Sequence, residues 1–77
     1  MPTVFRIGNF RFFFFAREEK RKHIHVISPN GEAKFWLEPK IELAKNYGFN
    51  DKELKFIENV IKEHYNDFIN AWKKFFS

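Results

Sequence analysis

A break of two residues, Gly8-Asn9, separates two runs rich in β-branched and aromatic side chains, Thr3-Val4-Phe5-Arg6-Ile7 and Phe10-Arg11-Phe12-Phe13-Phe14-Phe15. Such side chains favour a pleated, half-buried surface over a helix. A glycine at the first central position suits a two-residue type II′ turn, whose twist matches that of the strands it joins. This predicts a hairpin with Ile7 opposite Phe10, Arg6 opposite Arg11, Phe5 opposite Phe12 and Val4 opposite Phe13. A second hairpin follows the charged connection from Ala16 to Lys22. His23 to Ile27 alternates as a strand, Ser28-Pro29-Asn30-Gly31 signals a turn, and Glu32 to Leu37 is the returning strand. The register there sets Ile27 against Glu32, Val26 against Ala33, His25 against Lys34, Ile24 against Phe35 and His23 against Trp36. Two consecutive hairpins predict a four-stranded antiparallel sheet.

Beyond residue 38 the period changes. Pro39 can open a helical turn, which predicts a short helix over Lys40 to Asn46 ended near Gly48. Asn50 with Glu53 three positions on forms a capping-box pattern. The stripe Leu54, Ile57, Ile61, His64, Phe68, Ala71, Trp72 and Phe75 then predicts a long C-terminal helix. Straight, Asp51 to Phe76 would span roughly 39 Å. The end carrying Trp72, Phe75 and Phe76 is thus expected to overhang the sheet and offer a partner contact, bending or fraying being the other outcome. The reading is one α+β domain over residues 1–77, its helical stripe packed on one sheet face.

Opposed residues share a face and faces alternate along a strand. One face carries Phe5, Ile7, Phe10, Phe12, Phe14, Ile24, Val26, Ala33, Phe35 and Leu37, all apolar and suited to the helix. The other carries Val4, Arg6, Arg11, Phe13, Phe15, His23, His25, Ile27, Glu32, Lys34 and Trp36. With 14 Lys+Arg against 10 Asp+Glu, the net charge of +4 favours an acidic partner. Cations interleaved with rings are what a single-stranded RNA platform needs, charge for phosphate and rings for bases. Arg6, Arg11, Phe13, Lys34 and Trp36 are therefore the candidate nucleic-acid contacts, with a protein-binding face or plain solvation as the other readings.

His23 and His25 stand two apart on one strand face. As an acid/base pair they could relay the proton of a ribose 2′-hydroxyl while Arg6, Arg11 or Lys34 holds phosphate charge, a metal-independent endoribonuclease. The other reading is two polar strand residues bonded to neighbours. Zinc needs a third and usually a fourth ligand, and His64 lies on the helix stripe facing the other way, so no metal is expected. No Gly-rich phosphate loop or nucleophile elbow is present, and no cofactor is expected. The chain has no cysteine, which fits a reducing cytosol, and no run of the ~20 apolar residues that a membrane span requires. Arg6 and Arg11 interrupt the first apolar run, so a signal peptide is not expected.

Met1-Pro2-Thr3, Gly8 to Phe14, His23-Ile24-His25-Val26, Glu32-Ala33-Lys34-Phe35-Trp36-Leu37 with Pro39, and the late Trp72 together resemble a small prokaryotic family, domain of unknown function 4160. The resemblance covers nearly the whole chain. Members commonly lie beside a second small gene, and the pair looks like a type II toxin–antitoxin module with this family as toxin. The resemblance thus implies a cytoplasmic toxin that binds a cognate antitoxin and acts on RNA. The alternative is a non-catalytic module, antitoxin or adaptor, and self-association is left open. Where family members often have prolines before the HxHV strand, this chain has Arg21-Lys22, a more basic and more flexible entry. The family supplies no catalytic residues to carry over.

Overall fold

The computed structural model describes residues 3–15 and 20–76. Met1, Pro2 and most of the Ala16–Lys22 connection lie outside them. Five strands, β1 (Thr3–Ile7), β2 (Phe10–Phe13), β3 (His23–Ser28), β4 (Gly31–Trp36) and β5 (Glu42–Tyr47), precede two helices, α1 (Asp51–Glu63) and α2 (Tyr65–Phe75). The strands form one antiparallel meander in chain order, β1-β2-β3-β4-β5. Gly8 turns the first hairpin with φ of 55°, and Asn9 stays at negative φ, as a type II′ turn demands.

Both hairpins adopt the expected register, with one local change. Ile7–Phe10, Arg6–Arg11 and Phe5–Phe12 pair, but a bulge then sets Thr3 opposite Phe13. The extra residue, Val4, packs against the core instead. The β3–β4 ladder pairs His23 with Trp36 through to Ser28 with Gly31.

Two elements differ from the sequence expectation. The segment read as a short helix over Lys40 to Asn46 is mostly strand β5, which makes the sheet five-stranded. Glu42, Leu43, Ala44 and Lys45 suit a helix locally, but β4 would otherwise expose a full row of backbone N–H and C=O groups at the sheet edge. Pairing with β4 outweighs the local preference. The long C-terminal helix is also two helices. His64, with φ −110° and ψ 23°, closes α1 and opens α2, keeping its own N–H on Val60 O at 3.0 Å and accepting from Phe68 N at 3.0 Å. The bend folds α2 back: the molecule's longest dimension is 33 Å, too short for a straight helix of the expected length. Trp72 is accordingly buried (6% exposed) rather than overhanging.

The core lies between the helices and one sheet face. Phe12, Ile24, Val26, Ala33 and Phe35 from the strands, with Phe14 and Leu37 just past the ends of β2 and β4, meet Ile57, Val60, Ile61, Phe68 and Trp72. Fully burying one such large side chain stabilises the fold by about 1.5–3 kcal/mol. The buried aromatic rings thereby let a short chain assemble a sufficient core. Tyr65 fixes α2 to the sheet end by donating its hydroxyl to Leu37 O at 2.7 Å.

Candidate nucleic-acid interface

The helices cover one face of the sheet, and the opposite face is arranged in rows set by strand register. Arg6, Arg11, Ile27, Glu32 and Tyr47 align across all five strands. The next row reads Thr3, Phe13, His25, Lys34, Lys45. The third holds His23, Trp36 and Glu42. Strands spaced about 4.8 Å apart put Phe13 and Lys45 roughly 14 Å from one another. Sequence reasoning brought Arg6, Arg11, His25, Lys34 and Trp36 to this face, and the structure places them there together. It missed Lys45 and Tyr47, which belong to the strand read as helix. Only the need to pair the β4 edge signals them.

The two histidines have different surroundings. His23 is fully buried, its Nδ1 2.6 Å from Arg21 O and its ring 5.6 Å from Trp36 and 5.1 Å from Trp72. A carbonyl only accepts, so Nδ1 carries the proton. Encased in this way, His23 has no path to a ribose hydroxyl, which removes the paired-histidine arrangement. His25 is half-buried, stacked on Phe13 at 5.5 Å and edge-on to Phe15 at 4.5 Å. It remains the imidazole that borders open space. His64 lies on the helix side against Phe5, with Nδ1 3.6 Å from Asp67. Among the described residues no three of His, Cys, Asp or Glu gather to hold a metal ion.

Two of the expected base-stacking rings are already engaged. Phe13 is 3% exposed and lies under the Arg11 guanidinium at 4.9 Å. Trp36 is half-buried, with Arg21 at 4.1 Å and Lys34 Nζ at 4.4 Å from its ring. These cation–π contacts position the charges instead of presenting bare rings. Arg11 is further oriented by its Nε donating to Thr3 Oγ1 at 2.7 Å. The exposed rings on this side are Phe15 at 39% and Tyr47 at 63%. They border a depression of about 380 Å³ whose lining includes His25, Glu32, Lys34 and Lys45.

Of the expected partner contacts at the far end, Trp72 is interior, packed at a tilt against Phe76 at 4.2 Å and edge-on to Phe14 at 5.3 Å. Burial takes it off the surface a partner would touch, because the bend at His64 turns α2 inward. Phe76 is half-buried, and Phe75 is exposed.

Residues 9–73 match the family model described as domain of unknown function (DUF4160). The chain belongs to the DUF4160 family. No curated protein and no solved structure matches it. The DUF4160 match begins at Asn9 in the first turn and ends at Lys73 in α2, so it takes in Arg11, His25, Lys34 and Lys45 but not Arg6. Among its described residues this DUF4160 chain has no helix long and apolar enough to cross a membrane.

Proposed function

We propose that this chain is the toxin-like component of a two-gene toxin–antitoxin module and engages single-stranded RNA through the open face of its sheet. The module role rests on the family to which the chain belongs and on the paired-gene pattern that the resemblance implies. The RNA role rests on one observation: cationic side chains face each other directly across two ladders, Arg6 with Arg11 and Lys34 with Lys45. Like charges placed directly opposite destabilise a sheet. A chain that keeps two such pairs on the face its helices leave open has a surface matched to a polyanion.

With His23 enclosed, this face is better suited to holding RNA than to cutting it. Cleavage would have to run through His25 and a neighbouring cation. The deciding experiment is fluorescence anisotropy of a labelled single-stranded RNA at low salt. Wild-type protein should bind, affinity should fall steeply as salt rises, and Arg11→Gln with Lys34→Gln should weaken binding about tenfold or more. A wild type that leaves the anisotropy unchanged at low salt rules the RNA reading out.

A further inference from the structure

The depression on β4 and β5 divides by chemistry. At one end Lys34 and Lys45 are directly opposed. Two residues along, Glu32 and Tyr47 are directly opposed on the same side. The two pairs are thus separated along the strands by roughly 6.8 Å. Within a nucleotide the phosphate and the base stand apart in the same sense, one anionic and one flat and hydrogen-bonding. Tyr47, on an edge strand and 63% exposed, offers a ring face to a base, with Phe15 across the depression. Glu32 can only accept hydrogen bonds when ionised, so it favours a base bearing an exocyclic amine and repels phosphate. The ammonium pair at the other end does the reverse.

We propose that this depression is a single-nucleotide subsite of single-stranded RNA for a base bearing an exocyclic amine, such as cytosine, rather than uracil, with phosphate held between Lys34 and Lys45 and the base stacked on Tyr47 with its amine on Glu32. The assignment rests on the RNA reading of the sheet face. It goes further in fixing the orientation of the strand and a base preference. It also brings in Lys45 and Tyr47 on β5, which the sequence pattern did not single out, beside Lys34 on β4, which it did.

The test compares short oligocytidylate and oligouridylate probes across a salt series. All substituted positions lie on the exposed side of the sheet or on a helix surface, so folding, checked by circular dichroism, should be preserved. Lys45→Gln should weaken both probes several-fold and reduce the salt slope by about one phosphate contact. Tyr47→Ala should weaken both without changing that slope. Glu32→Gln should lessen the preference for oligocytidylate over oligouridylate. Lys62→Gln on α1 serves as the charge control and should leave the slope unchanged. If wild type binds and Arg11→Gln impairs it while Lys45→Gln and Tyr47→Ala do not, the subsite is overturned and the sheet-face reading stands. If Lys62→Gln lowers the slope as much as Lys45→Gln, binding follows overall charge and the subsite is likewise overturned. If wild type binds neither probe, both readings fall together.

Discussion

At the scale of single residues, the two histidines of β3 look equivalent in the sequence, and burial separates them. Alternation correctly put both on the side of β3 away from Ile24 and Val26. It carried no information on how far α2 would return over the end of that side. His23 is enclosed because Trp72 comes within 5.1 Å of it and Trp36 borders it at 5.6 Å. Replacing it removes packing and strands the Arg21 carbonyl, so His23→Ala should destabilise the fold by about 2–4 kcal/mol. His25→Ala, at a half-buried position, should cost about 1 kcal/mol. Urea titrations of both variants measure the difference, and equal losses would contradict the enclosure of His23. Any loss of function in His23→Ala must accordingly be corrected for loss of folded protein. His25→Ala reports on the surface itself.

At the scale of elements, local signals succeeded where they were self-contained. The Gly8-Asn9 turn fixes its own hairpin, and the capping box at α1 forms as its spacing predicts. Asn50 Oδ1 accepts from Glu53 N at 2.8 Å, and Glu53 Oε1 accepts from Asn50 N at 3.0 Å. Strand β5 was not legible, because Glu42 to Lys45 prefer helix and only the unpaired edge of β4, thirty-odd positions into the fold, overrules them. Gly48 was read as a helix terminator and in fact lets the chain leave β5. Its φ is 99°, and a Cβ there would strike Asn30 O, while one on Gly31 would strike Tyr47 O. The two glycines let the β3–β4 turn and the end of β5 approach backbone to backbone. Gly48→Ala should therefore destabilise by roughly 1–3 kcal/mol in thermal or urea unfolding; an unchanged midpoint would refute the close approach. The capping box also carries a pH signature. Backbone hydrogen bonding to Asn50 and then the Asn30 side chain hold the Glu53 pKa below its ordinary value. A carboxylate depressed in the folded state contributes its stability above the unfolded pKa and loses it as pH falls through the folded one. Glu53→Gln should flatten the acid side of the stability–pH curve relative to wild type. An acid limb of unchanged steepness would show that the hydrogen bonds to Glu53 are not linked to its protonation.

At the scale of the whole molecule, the fold sorts the chain into a helix-covered face and an open one, and both proposed roles must share what is left exposed. The apolar assignment of the covered face was legible because the two turns fix the hairpin registers, and those registers set Phe12, Phe14, Ile24, Val26 and Phe35 on one face. The reach of α2 was not, since a stripe of threes and fours does not record a bend at His64. That bend withdraws Trp72 and leaves Phe75 as the exposed ring of the far end, stacked at 5.9 Å on Phe14 on the helix side of the sheet. The far end and the cationic rows thus present themselves on different sides. An antitoxin that neutralises this chain by occupying the RNA face would displace bound RNA, and its binding would weaken with Arg11→Gln and Lys34→Gln. One that docks at the far end would leave the RNA in place and would be weakened by Phe75→Ala. Neutralisation is most direct when one surface cannot serve two ligands, and the cationic face is the one proposed to hold RNA. Adding the product of the neighbouring gene to preformed protein–RNA complex should therefore return the RNA anisotropy to its free value. A ternary complex sensitive to Phe75→Ala, with RNA still bound, would move the partner to the far end of α2 and separate inhibition from RNA binding.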